Sequence, residues 1–76
     1  MSRKAIKRAV AIAGSQRALA DGIAAYLGRK TFSQQTVSYW IKEDTAIEAE
    51  YWAAIEHVTK KQVTRNELRP DIFAAA

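Results

Sequence analysis

The run Ser33-Gln34-Gln35-Thr36-Val37-Ser38-Tyr39-Trp40-Ile41-Lys42 holds the side chains of this sequence best suited to selective chemistry. At helical spacing Val37, Trp40 and Ile41 fall at i, i+3 and i+4 and point inward, while Gln34, Gln35, Ser38, Tyr39 and Lys42 lie on the other side or at its margins. That outer side is polar and nearly uncharged, whereas a helix face that only keeps a protein in solution more often carries Glu and Lys. A glutamine amide presents an acceptor and a donor together, which matches adenine N7 and N6 in a DNA major groove. Serine hydroxyls adapt to either partner, and a tyrosine ring packs on a thymine methyl or bonds a phosphate. Such types are suited to reading base edges. The plainer alternative is a solvent-facing polar helix that happens to carry two glutamines.

The distribution of charge favours the first reading. From residue 1 to 42 there are eight bases (Arg3, Lys4, Lys7, Arg8, Arg17, Arg29, Lys30, Lys42) against Asp21 alone, a balance of +7. From residue 43 onward there are four bases against seven acids, a balance of −3. A basic front half is suited to a polyanion, because Lys and Arg that neutralise phosphates release condensed counterions and supply most non-specific affinity. A solvated basic face with no partner is the competing explanation.

Other chemistries lack their residues. Cysteine is absent, so neither a disulfide framework nor zinc thiolates are available, and a reducing cytoplasm is the expected setting. His57 stands beside Glu56 with no second ligand type near it and reads as a helix-surface residue. Glu48, Glu50 and Glu56 read as a solvated acidic face, not a catalytic pair. Gly14, Gly22 and Gly28 are too far apart for a phosphate loop. No apolar run approaches the roughly 20 residues of a membrane span. The expectation is therefore not an enzyme, with no metal, no cofactor, no small-molecule substrate and no membrane partner.

The elements that must carry Ser33 to Lys42 follow from periodicity. Seventy-six residues allow one domain, 1–76, with a small core, and apolar residues recur at helical spacing with no sustained alternation, so the class is all-α. A first helix turns Ala5, Ile6, Ala9, Val10 and Ala13 inward and ends at Gly14. Ser15 caps a second with Leu19, Ile23, Tyr26 and Leu27 as its buried stripe, in which Gly22 costs about 1 kcal/mol relative to alanine. Gly28 to Thr31 is a turn, and Ser33 caps the third helix, with Phe32 and Val37 spaced as a hydrophobic staple. Thr45-Ala46-Ile47-Glu48 and Thr64-Arg65-Asn66-Glu67 both have the capping-box pattern and should open a fourth helix, burying Ile47, Trp52, Ile55 and Val58, and a fifth, short one ended by Pro70. Trp40 and Trp52 read as core, and Asp71-Ile72-Phe73 should fold back over it, with residues 74–76 fraying.

Ala18-Leu19-Ala20, Ser33-Gln34-Gln35-Thr36-Val37-Ser38 with Trp40, and Val63-Thr64-Arg65-Asn66-Glu67-Leu68-Arg69-Pro70-Asp71-Ile72-Phe73 together resemble the Cro-type repressors of phages and prophages, in particular the YdaS-like branch. The resemblance runs from about Ile12 to Phe73, and the tail is its more diagnostic part. It implies a five-helix Cro/repressor-like domain with its helix-turn-helix at about 15–42. Gln34, Gln35, Ser38 and Tyr39 then fall at base-reading positions, and Gln16, Arg17, Arg29, Lys30, Ser33 and Lys42 near phosphates. Ala20 becomes the small residue that lets two helices cross. The chain departs from the pattern in one place: fifteen positions separate Ala18 from Ser33 where the family usually has about eight, so either the second helix is longer or the turn is enlarged. The implied function is repression by a homodimer on a palindromic operator, in the cytoplasm of a bacterial host and associated with its nucleoid. A prophage antitoxin that regulates its own operon is the nearest alternative, and a helical protein-interaction module the next.

Overall fold

A computed structural model describes residues 2–73, with side chains through Ile72. Six α-helices occur in the order α1 (Arg3–Ala13), α2 (Gln16–Leu27), α3 (Gln34–Glu43), α4 (Trp52–Val58), α5 (Arg65–Leu68) and α6 (Pro70–Phe73), with a short 3-10 helix, Ala49–Tyr51, leading into α4. Among the described residues there is no strand. The all-helical class is as the periodicity implies, with one additional turn after Pro70. Proline suits a first helical position because its missing N–H would have no partner there, and Arg69, extended at φ −133°, separates α5 from it.

The core is one cluster in which α1 contributes Ile6 and Ala9, α2 Leu19, Ala20 and Ile23, α3 Val37 and Trp40, and the second half Ile47, Ile55, Val63 and Leu68. Helices α1, α2 and α3 all pack on one another, and α4 lies along α2. That last contact explains Gly22, for which the sequence offers only a propensity penalty. A Cβ built on Gly22 would stand 2.7 Å from Val58 Cγ2 and 3.2 Å from Cγ1, and a β-branched side chain has little freedom to turn away. Gly22→Ala should therefore lower stability by about 1 kcal/mol despite alanine's better helix propensity, since overpacking typically costs about 1–3 kcal/mol and propensity returns at most about 1. Thermal melts of Gly22→Ala alone and with Val58→Ala test this: the second change should relieve the first, and a single variant more stable than the parent would refute the close approach.

The fifteen positions between Ala18 and Ser33 are divided between the rest of α2 and the connection to α3. Helix α2 runs twelve residues to Leu27, where Gly28 takes the left-handed conformation (φ 72°) that ends it, and residues 28–33 connect to α3.

The other end of α3 is tied to α1. Arg3 donates through Nε to the Ile41 carbonyl at 2.8 Å and through Nη2 to that of Lys42 at 3.2 Å, capping carbonyls that an α-helix leaves without partners. The Arg3 backbone N–H bonds Asp44 Oδ1 at 2.8 Å and the buried Ser2 hydroxyl donates to the Thr45 carbonyl at 2.6 Å.

Several local expectations are corrected. Tyr26 is 46% exposed and not part of the buried stripe of α2; its ring lies 5.0 Å from that of His57. The Thr45–Glu48 capping box does not form: residues 44–48 are non-helical, Ile47 is buried from that segment, and helix begins at Ala49 behind Glu48 with no side-chain cap. Thr64 does precede a helix, but its side chain makes no cap bond, and Glu67 pairs with Arg8 of α1 instead. Asp71 and Ile72 are exposed and so do not cover the core; the side chain of Phe73 and the fraying expected of 74–76 lie outside the described residues.

The second half is held on α4 by Glu56, whose carboxylate receives Arg65 through its backbone N–H at 2.9 Å, Nε at 3.2 Å and Nη2 at 2.8 Å. These Arg65 hydrogen bonds, and then its charge, hold the carboxyl below the usual glutamate range. A lowered folded-state pKa means that the unfolded chain binds the proton more tightly. The stabilisation is therefore present above the ordinary value of about 4.3 and is lost as pH falls below it toward the folded value. Glu56→Gln should lower stability at neutral pH by about 1 kcal/mol, a discounted figure because Arg65 is half exposed, and should flatten the acid limb of a stability-against-pH curve. An unchanged limb would assign the acid response elsewhere.

Candidate nucleic-acid interface

Helix α3 presents its sides as the spacing requires. Val37 and Trp40 are buried, Ile41 is half-buried, and Gln34, Gln35, Ser38, Tyr39 and Lys42 are exposed, Tyr39 by 56%. The helix starts where Ser33 places it: the Ser33 hydroxyl oxygen accepts the Gln35 N–H at 3.1 Å, so one lone pair is committed to the cap while the O–H stays available outward.

An aromatic cluster behind α3 sets its orientation. Phe32 from the connection, Trp40 from α3 and Tyr51 from the 3-10 helix enclose one another, with ring centroids 5.8 Å apart for Phe32–Trp40, 5.1 Å for Phe32–Tyr51 and 5.6 Å for Trp40–Tyr51. Aromatic pairs at such offsets add roughly 0.5–1.5 kcal/mol each beyond area burial. Phe32 thus joins the three-ring cluster, and Tyr51 becomes part of the scaffold, which its place beside the apolar stripe of α4 only partly signals.

The connection runs back beside α2. Thr31, Phe32 and Gln34 line a shallow depression of about 230 Å³ together with Arg17, Ala20 and Asp21 of α2. A side chain assigned to base reading, Gln34, and one assigned to phosphate, Arg17, therefore share one surface feature. Arg17 reaches only loosely to Asp21, Nε to Oδ2 at 3.9 Å with both side chains mostly exposed. Ala20 is buried at the floor, and Gln16 is half-buried at the start of α2, where the Ser15 hydroxyl accepts the Ala18 N–H at 3.0 Å.

The basic residues divide into two groups. Arg3 is used to cap α3, and Arg8 bridges α1 to Glu67 and to the Gln62 carbonyl at 2.9 Å. Arg29, assigned to phosphate by sequence, is engaged within the protein: Nη2 lies 3.1 Å from Glu50 Oε2 and Cζ stands 5.6 Å from the Tyr51 ring centre. A hydrogen bond with Tyr51, then the charge of Glu50, raises its pKa. Lys4, Lys7, Lys30 and Lys42 make no ion pair among the described residues. Of the groups assigned to phosphate, Lys30, Lys42 and Ser33 are exposed around α3, Arg17 is only loosely held by Asp21, Gln16 is half-buried at the start of α2, and Arg29 is engaged by partners on another element.

The nearness of Asp21 and Thr31 to Gln34 is invisible in the sequence, because it depends on the path of the inserted connection. Among the described residues no group of three or more His, Cys, Asp or Glu gathers as a metal site, and no helix is long and apolar enough to cross a membrane.

A family model described as "Bacterial toxin YdaS" matches residues 6–76. No curated protein and no solved structure matches the chain.

Proposed function

We propose that this chain, which belongs to the bacterial toxin YdaS family, is a sequence-specific DNA-binding regulator of the phage or prophage Cro type that seats α3 in the major groove of an operator. The observation that carries the reading is the exposure of Gln34, Gln35, Ser38 and Tyr39 along one uncharged side of a helix whose opposite side is core. Arg17, Lys30, Lys42 and Ser33 supply the phosphate contacts that fix register without reading sequence. One such module buries only roughly 600–1,000 Å² against DNA, so a homodimer on a palindromic site is the natural form, its two recognition helices about 34 Å apart. The acidic second half faces away from DNA. Repression follows by occlusion of a promoter, in the cytoplasm of a bacterial host and on its nucleoid.

The family's description as a toxin favours a second reading, in which the chain is one partner of a prophage toxin–antitoxin pair and its DNA contacts serve autoregulation. Growth after induction of the chain alone separates the two: arrest that survives loss of DNA binding supports the toxin, and normal growth supports the regulator.

Footprinting on DNA flanking the gene at two salt concentrations tests the main proposal, with a protected palindrome at moderate salt as the expected result. Gln35→Ala should cost about 1–3 kcal/mol on the protected site and change binding to random duplex little. Equal effects on both DNAs, or no effect, would remove Gln35 from base reading, whereas a parent chain that binds neither DNA would favour a module that docks proteins.

A further inference from the structure

Asp21 is the one acid among the first 42 residues, and the fold places it on the lip of the depression that Gln34 of α3 and Arg17 of α2 also line. An acid is the wrong charge for a surface that approaches phosphates, where each carboxylate repels what the bases attract. Nor does Asp21 serve the fold: its side chain is 69% exposed and its contact with Arg17 is 3.9 Å long, the kind of exposed pair that contributes little to stability. What a carboxylate can do beside a reading helix is accept. Cytosine N4 presents an amino donor in the major groove, and Asp or Glu is the side chain that pairs with it; guanine and thymine offer a carboxylate only acceptors, and the amino group of adenine is flanked by the N7 acceptor, which repels it.

We propose that Asp21 is a specificity-determining residue of the DNA interface, a carboxylate on α2 that accepts the exocyclic amino group of a cytosine at the edge of the site read by Gln34. The inference rests on the DNA-binding reading above. Arg17 has two functions in this arrangement, holding the carboxylate loosely and bonding the adjacent phosphate. The acid lowers affinity for duplex in general and restores it only where the amino group is present, so it adds discrimination at the expense of non-specific binding.

The experiment is selection from a randomised duplex library with the wild-type chain, Asp21→Ala and Asp21→Asn, followed by titration of the selected site and of random duplex. The wild type should prefer cytosine at one edge position by about fivefold or more. Asp21→Ala should make that position indifferent while leaving the Gln34 and Gln35 positions unchanged, and both variants should bind random duplex about two- to fivefold more tightly. If wild type and variants enrich the same sequence, or if Asp21→Ala tightens binding to every sequence by one factor, Asp21 is only a charge and the inference is overturned while the DNA reading stands. If the wild type enriches no sequence, both fall together.

Discussion

Trp40→Ala should remove about a third or more of the stability of the fold. The indole is 2% exposed, lies against Phe32 and Tyr51 on two other segments, and is the largest side chain buried in the molecule. Replacing a buried Trp by alanine removes about 3–5 kcal/mol. A chain of 76 residues has a total of only about 4–11 kcal/mol at the usual roughly 0.05–0.15 kcal/mol per residue. Trp40→Phe, which keeps a ring in the cluster, should lose less than half as much. Trp52 remains as the single tryptophan in both variants, with its Nε1 donating to the Ile47 carbonyl at 2.9 Å, so its fluorescence reports unfolding directly. Urea midpoints for Trp40→Ala within about 1 kcal/mol of the parent would show that the cluster is not what fixes α3.

The consequence reaches function because the same residue faces two ways through its neighbours. Phe32 is part of the connection that lines the depression beside Gln34, and Tyr51 holds Arg29. If the chain reads DNA as proposed, a partly folded Trp40 variant should lose selective binding before it loses binding to random duplex, since basic residues attract phosphates from any conformation whereas base reading requires one helix angle.

How much of this was legible in the sequence depends on the range of the interaction. Both ends of α2 and the start of α3 could be read from Ser15, Gly28 and Ser33 because each cap is satisfied within four residues, and the inward side of α3 because periodicity is local. The fourth helix could not be placed from Thr45 because a capping-box pattern states only a propensity; the segment is instead held by tertiary bonds such as that from Ser2 to the Thr45 carbonyl. The turn after α4 gave no signal at all. Lys60 and Lys61 both take positive φ, 54° and 63°, where glycine would be the usual mark, with the Lys61 N–H reaching the Glu56 carbonyl at 2.6 Å. In the candidate site the outward residues of α3 were legible. The internal use of Arg3, Arg8 and Arg29 was not, since each partner lies more than twenty positions away in the chain.

On the DNA-binding proposal, that division of the bases determines the second large effect, the salt dependence of binding. If every base of the front half met a phosphate, a dimer would release counterions from some sixteen contacts. If Arg3, Arg8 and Arg29 stay engaged by the protein and Lys4 and Lys7 of α1 do not reach the DNA backbone, the contacts reduce to Arg17, Lys30 and Lys42 on each protomer. Six contacts correspond to a slope of log affinity against log salt near −5, and to a loss of roughly 10³-fold between 50 and 200 mM salt. Lys42→Gln should make the slope shallower by about two per dimer and weaken cognate and random duplex alike, whereas Gln35→Ala should leave the slope unchanged and weaken the cognate site alone. Fluorescence anisotropy across four salt concentrations measures both. A slope steeper than about −9 would mean that Arg29 leaves Glu50 for a phosphate and that α1 also touches the backbone, and a slope near zero would remove DNA from the list of partners altogether.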